Sequence, residues 1–467
     1  MTSSTKLSDP AVGTTRPAFG TLAVATSMGT AVEQYDFIAY AIATSLVFNK
    51  VFFPETDAVV GTLLAFVVFF TGFLARPVGG VIAGHFGDRI GRKRLLVITV
   101  LTMGTATIVV GALPTYEQIG IAAPILLLLC RILQGLAVGG EWGGAALVGV
   151  EHAPPGRRGL YGSWSMVGIS GGGLLATVAF ALLAGLDEEA FLAWGWRVPF
   201  LASIVLVGVG LFVRSRITET AAFRSAQHGR NLTRLPIVEL LRTSWRKVLL
   251  ATGVSISYNA FVYLVFTYAL SYATGPLELP RQLLLNATVV GLALQLPSIV
   301  LSGALSDRIG RRVVMTAGSV FMAADAFVFF LLLDTGSPPA VYATIAIAYV
   351  GAGLMYGPLA AHFAEAFDVN VRYSGISLCY QLGASLGGGL TPTVLTLLYM
   401  GTGGTLAISV YIAVLALIAC ACLAALPTSR PGQIRSLEGV AGAEQAGSER
   451  AEPAQPMSGG PEVQSAK

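Results

Sequence analysis

Charge is what this chain has least of. Asp, Glu, Lys and Arg make up 12% of its 467 residues, against 54% hydrophobic residues and a mean hydropathy of +0.72. A soluble domain carries about twice that share of charge, so a water-exposed globule is excluded. Cysteine is scarce too. Cys130, Cys379, Cys420 and Cys422 all lie inside apolar runs. They show neither zinc spacing nor a disulfide framework and read as small buried hydrophobes. No Gly-x-x-x-x-Gly-Lys-Ser/Thr string occurs, which removes the phosphate cradle of an ATP-driven pump. No nucleophile–base pair or metal cluster is visible, which speaks against an enzyme and against a bound cofactor. The alternating pattern of an outer-membrane barrel is missing as well.

What is present is a series of apolar runs. Crossing a hydrocarbon core takes about 20 helical residues, and twelve runs come close to or exceed that length: 19–48, 59–83, 95–113, 121–150, 161–185, 196–213, 248–272, 283–305, 313–333, 341–363, 373–398 and 406–426. The expected fold is therefore an all-α membrane protein with twelve transmembrane helices. The first run follows a polar leader with no cleavage pattern and is taken as a span, not a targeting signal. Residues 1–18 form a polar tail. Residues 214–247 are a basic linker, and 427–467 are rich in Gly, Ala, Glu, Pro and Ser and are expected to be disordered. The domains expected on either side of the linker are 19–213 and 248–426.

One short charged stretch punctuates the apolar series twice. Gly84-His85-Phe86-Gly87-Asp88-Arg89-Ile90-Gly91-Arg92-Lys93-Arg94 is matched 219 residues later by Gly303-Ala304-Leu305-Ser306-Asp307-Arg308-Ile309-Gly310-Arg311-Arg312. A repeated hinge inside a hydrophobic array implies two pseudo-symmetric six-helix halves. Glu151 and Arg158 likewise recur as Glu365 and Arg372. An electrostatic latch is expected in each half. Asp88, Arg89 and Arg92 would act with Glu151 and Arg158, and Asp307 and Arg308 with Glu365 and Arg372. The bland alternative is a plain positive-inside anchor. With twelve spans, nearly all Lys and Arg of the loops fall on the side of both termini, which places the termini in the cytoplasm. The net charge of +4 then reflects loops beside anionic lipid, not nucleic-acid binding.

These loops resemble the signature of the major facilitator superfamily. Glu33-Gln34-Tyr35-Asp36-Phe37, Phe73-Leu74-Ala75-Arg76-Pro77-Val78-Gly79-Gly80, the run from Arg131 to Ala145, Glu151-His152-Ala153-Pro154-Pro155 and Arg372-Tyr373-Ser374-Gly375 resemble its metabolite:proton symporter family. The likeness covers about residues 20–427. Gln34 stands where that family usually has Trp. The resemblance implies a bacterial inner-membrane carrier, working as a monomer by alternating access. It would take up a small organic carboxylate with protons. A proline- or betaine-like zwitterion symporter, or an efflux carrier, is the alternative.

Ionisable groups inside spans are rare and mark function or partnered structure. Glu33 and Asp36 share one helix face. Two close carboxylates disfavour double ionisation, which suits a proton site; either could instead hold a basic partner. Arg131 is a natural fork for a carboxylate, or it pairs with Asp36 or Glu33. Glu141, ten residues on, is a proton-coupling candidate in a tightly packed Gly-rich run. Arg76 is read as a snorkelling or gate residue. His362 suits proton exchange or merely neighbours Glu365. Asp325 has no evident role. Tyr258, Asn259, Tyr263, Gln295, Tyr356, Tyr380 and Gln381 supply hydroxyl and amide partners for a solute.

Overall fold

The structure is a computed structural model that describes residues 19–90, 92–139, 142–216, 236–368 and 371–427. The tail expectations and most of the linker fall outside the described residues. Among the described residues all regular structure is helical, as hydrocarbon demands when every backbone N–H and C=O must be satisfied within the segment. Twelve segments result: span 1 (19–52), span 2 (Ala58–Ile90), span 3 (Arg92–Ala112), span 4 (122–151), span 5 (Arg158–Leu183), span 6 (188–216), span 7 (236–274), span 8 (Arg281–Ile309), span 9 (Arg311–Leu333), span 10 (Pro338–Ala366), span 11 (372–402) and span 12 (Leu406–Ala425).

Two expectations about these boundaries need correction. The charged loops are helical almost throughout. Span 2 continues to Ile90 and span 3 starts at Arg92, while in the second copy Gly310 alone separates Ile309 from Arg311. Gly310 has φ +100° and ψ 141°, a conformation that only glycine adopts cheaply. The linker is shorter than expected. Residues 214–216 finish span 6, and Pro236 already begins span 7, which kinks at Ser244. Span 4 is described as one helix to Val138 and another from Trp142, and residues 140–141 lie outside the described residues.

Neighbour relations repeat with a shift of six. Span 1 packs on span 5, span 2 on span 4, and span 3 on spans 4 and 6. Span 7 packs on span 11, span 8 on span 10, and span 9 on spans 10 and 12. The two sets meet where span 5 lies along span 8 and span 2 along span 11. Spans 1 and 7 each carry a π-helical turn at matching positions, Thr44–Phe48 and Leu264–Tyr268. Such turns leave the regular bonding pattern and are common at functional sites. Here they touch: Ser45 Oγ donates to the Thr267 carbonyl at 2.9 Å.

Small residues set the closest approaches. A side chain on Gly135 would strike the Gly72 carbonyl, and one on Gly139 the Arg76 carbonyl. Spans 2 and 4 therefore meet backbone to backbone, the usual route to helix association where water cannot drive it. That seam carries both buried arginines.

Candidate functional site

Arg131 is 0% and Arg76 3% exposed. They stand on spans 4 and 2, across the glycine seam. Gly72 makes room for Arg131, because a Cβ there would collide with Arg131 Nε. Both guanidinium groups lie on aromatic faces from spans 1 and 2. Arg76 Cζ is 3.8 Å from the Phe37 ring centroid and 4.3 Å from that of Phe73. Arg131 Cζ is 4.1 Å from Phe37, 4.3 Å from Tyr40 and 4.7 Å from Phe69. Each desolvated contact of this kind contributes about 2 kcal/mol, which only partly offsets removing a cation from water.

Hydrogen bonds hold Arg131 but do not exhaust it. Its Nε donates to the Phe69 carbonyl at 3.3 Å and its Nη1 to Gln134 Oε1 at 3.3 Å. Gln134 in turn donates to Thr107 Oγ1 at 2.8 Å. Arg131 Nη2 and Arg76 Nε and Nη2 have no hydrogen-bond partner among the described residues. No ion pair to Arg131 or Arg76 is found among those residues. The expected pairing of Arg131 with Asp36 or Glu33 is therefore not made. The snorkelling reading of Arg76 is corrected, since the residue is buried in the aromatic cluster.

Glu33 and Asp36 are buried at 7% and 3% exposure. Asp36 sits beside Thr107 and within electrostatic range of Glu33. Glu33 in turn lies in range of Arg76. Gln34, the departure from the family pattern, is buried too. The aromatic cluster continues into span 7 through Tyr263, whose ring centroid is 5.8 Å from Phe69 and 5.6 Å from Phe73. Beyond it, Tyr258 stacks on Tyr356 at 4.1 Å, and the Tyr356 and Tyr380 hydroxyls are 3.0 Å apart. Tyr258 is within hydrogen-bonding reach of Gln295. Gln381 Nε2 reaches across to the Gly139 carbonyl at 3.4 Å, and Ser385 Oγ donates to the Phe73 carbonyl at 2.9 Å.

Other candidates fall elsewhere. Asn259 turns its amide back onto the Ser255 carbonyl of its own helix at 2.8 Å. His362 is fully buried near Arg311 and Arg312, away from the arginine pair, with both ring nitrogens unpartnered among the described residues. Asp325 is buried in span 9 with Oδ2 unpartnered among those residues. Glu141 lies outside the described residues, as do the side chains of Asp88, Arg89 and Arg92.

The second charged motif is organised differently from the expected latch. Arg308 is exposed, and Arg311 takes its place. Arg311 Nη2 lies 3.2 Å from Asp307 Oδ1 and 2.9 Å from Glu365 Oε1. The Glu365 contact is close but misaligned for a hydrogen bond, so it is an ion pair only. Asp307 reaches into the other set of spans. Its Oδ1 accepts from the Gly159 amide at 2.8 Å and its Oδ2 from the Leu160 amide at 2.9 Å. These are free N–H groups at the N-terminus of span 5, where a carboxylate is favoured. Arg158 and Arg372 lie within electrostatic range of Glu365, while Glu151 is exposed and makes no ion pair among the described residues. Sequence spacing relates Glu151 to Arg158 along the chain and carries no sign of this crossing.

The opposite end of span 5 is held by the opposite charge. Arg281, which opens span 8, donates Nε to the Ala184 carbonyl at 3.1 Å and Nη2 to the Leu186 carbonyl. It pairs with Glu188, which Lys50 of span 1 also contacts at 2.5 Å. A cavity of about 250 Å³ lies at this mouth, bordered by Ser45, Asn49, Lys50, Glu188, Ser271 and Arg281. No group of residues suited to holding a metal occurs among the described residues.

Twelve spans in two repeating sets, bridged at both ends around a buried cationic and aromatic centre, define a secondary carrier and not an enzyme. The sequence profile of the Major Facilitator Superfamily matches residues 18–379 and 280–456. The chain is 41% identical over 398 residues to the shikimate transporter of Escherichia coli (strain K12), covering 83% of this chain and 91% of that protein. It is 33% identical over 409 residues to the proline/betaine transporter of Salmonella typhimurium, covering 84% and 80%. Among solved structures, a D-xylose-proton symporter superposes with a TM-score of 0.68 at 18% identity, covering 88% of this chain and 99% of that one. The chain belongs to the Major Facilitator Superfamily and, within it, to the metabolite:proton symporter family. It is a multi-pass membrane protein that carries a small metabolite by proton-coupled secondary transport.

Proposed function

We propose that the metabolite is a small organic carboxylate and that Arg131 and Arg76 bind its carboxylate group. The observation that carries this is the pair of buried guanidinium groups on adjacent spans with three N–H-bearing nitrogens unpartnered among the described residues. A guanidinium in a low-dielectric site wants a planar, bidentate anion. The aromatic rings of Phe37, Tyr40, Phe69 and Phe73 suit the apolar body of such a solute. The 41%-identical relative is a shikimate transporter, which agrees with an anionic substrate.

The coupling proton is assigned to Asp36, with Glu33 as its partner. Protonating Asp36 as the anion binds would limit the net charge carried through the membrane interior. The halves 19–213 and 248–426 would rock about this centre in alternating access. The end that carries Asp307 and Arg311 is placed in the cytoplasm with both termini, on the Lys/Arg bias of its loops. The membrane is taken as a bacterial inner membrane, and the working unit as a monomer. A betaine-like zwitterion is the second reading. It draws on the aromatic cluster and on the 33%-identical proline/betaine relative, but two cations already occupy those rings.

Uptake into proteoliposomes under an imposed pH gradient tests the assignment. Shikimate, 2-oxoglutarate, proline and glycine betaine are offered to the native carrier and to Arg131→Ala. Acid uptake that is lost in the variant, with inserted protein unchanged, is expected. Uptake of the zwitterions alone would overturn the assignment.

A further inference from the structure

The central cluster holds polar atoms that the arginine pair does not use. Gln295 of span 8 and Tyr349 of span 10 are 2% and 1% exposed. Gln295 Nε2, the Tyr349 hydroxyl and, on span 11, Gln381 Oε1 have no hydrogen-bond partner among the described residues. Leaving one such group unpaired in a protein interior is costly. Here three fall on three helices. Gln295 lies within hydrogen-bonding reach of Tyr258, and Gln381 donates Nε2 to the Gly139 carbonyl, on the seam that carries Arg76. Tyr349 lies within electrostatic range of Tyr258 and Tyr263. Tyr263 in turn packs on Phe73, the ring beneath Arg76. The group thus adjoins the arginine pair and belongs to the opposite set of spans.

Its chemistry differs from that of the arginine side. None of the three is charged, so it is a poor site for a second carboxylate or an ammonium group. It offers an amide donor, a phenol that both donates and accepts, and an amide acceptor. That inventory matches hydroxyl or oxo groups, and not a hydrocarbon skeleton or a quaternary ammonium.

We propose that Gln295, Tyr349 and Gln381 form a second subsite that reads hydroxyl or oxo groups on the body of the substrate, so that the carrier selects hydroxylated or oxo acids over plain hydrocarbon acids of the same size. The proposal rests on the carboxylate assignment above and deepens it. A site built to hydrogen-bond a substrate oxygen rejects the analogue that lacks it far more strongly than an apolar pocket rejects a missing methylene.

The test uses two matched probe pairs of monocarboxylic acids, shikimate with cyclohex-1-enecarboxylate and 2-oxopentanoate with pentanoate. Dissociation constants are measured with the purified full-length carrier in lipid nanodiscs. At least one oxygenated acid should bind about tenfold or more tighter than its partner. Gln295→Leu and Tyr349→Phe should bring that ratio toward one, chiefly by weakening the oxygenated acid. Tyr349→Phe removes a single oxygen atom and serves where Gln295→Leu fails to fold. A ratio near one in the native protein for both pairs, or equal weakening of both members in the variants, overturns the proposal. Absence of binding by all four acids defeats the carboxylate assignment, and this subsite with it.

Discussion

Phe37 touches both buried arginines: its ring centroid is 3.8 Å from Arg76 Cζ and 4.1 Å from Arg131 Cζ. Two like charges are thus gathered on one ring in a low-dielectric setting. Their mutual repulsion works against the apo arrangement, and a bound carboxylate relieves it. The ring fixes where the two forks point. Phe37→Leu keeps the apolar volume roughly but removes the ring quadrupole. It should raise the KM for an acid substrate about tenfold while changing stability by about 1–3 kcal/mol. Initial-rate uptake together with thermal unfolding checks it; an unchanged KM would show that the ring does not orient the guanidinium groups.

Gly72 should be intolerant of even one methyl group. A Cβ there meets Arg131 Nε, Cδ and Cγ at once, and Arg131 is itself fully buried. Gly171 of span 5 is the matched control, since nothing lies within 4 Å of its Cβ position. Gly72→Ala is expected to abolish acid uptake and cost about 1–3 kcal/mol of overpacking. Gly171→Ala should stay within about 0.5 kcal/mol and transport normally. Equal behaviour of the two variants in uptake and thermal-unfolding assays would refute the positioning role of Gly72.

The twelve spans were legible because bilayer thickness writes itself into sequence as run length, and the repeat of Asp88 as Asp307 showed the internal symmetry. Pairings across that symmetry were not legible. Spacing ties Glu151 to Arg158 along the chain, but it cannot show that Asp307 reaches the span 5 amides of Gly159 and Leu160. Arg76 misled for a related reason. Its place before Pro77 suggested a helix end, yet span 2 runs on to Ile90 and carries the residue into the interior. The small residues were the missed signal. Gly72, Gly135 and Gly139 bring spans 2 and 4 together, and that close contact is what buries both arginines.

Asp36→Asn should separate proton coupling from substrate passage. The amide keeps the size and the neighbourhood of Thr107 but cannot take up a proton. Counterflow of labelled acid between equal pH values is expected to persist within about threefold, whereas accumulation driven by an inward proton gradient is lost. The wild type should accumulate more acid as the outside pH falls, because protonation precedes reorientation; the variant should show no such dependence. Gradient-driven accumulation at native levels in Asp36→Asn would move the coupling site elsewhere, with Glu33 the next residue to substitute.

Span 8 holds both ends of span 5 with charges of opposite sign, Asp307 at the N-terminus and Arg281 at the C-terminus. Each sign complements the local helix end. A rocking motion that opens one mouth must break one contact and can keep the other. Loss of Asp307 should therefore favour opening at its own end, and loss of Arg281 should favour opening at the Lys50–Glu188 end. Removing charge-assisted hydrogen bonds of this kind is worth about 1–3 kcal/mol, enough to shift a conformational ratio by about fivefold or more. Spin labels placed in pairs across each mouth, with distances measured in nanodiscs, separate the two cases. Asp307→Asn and Arg281→Gln should move the distance distributions in opposite directions, and the double variant should fall between them. Shifts of the same sign in both single variants would show that the two contacts stabilise the fold without biasing which mouth opens.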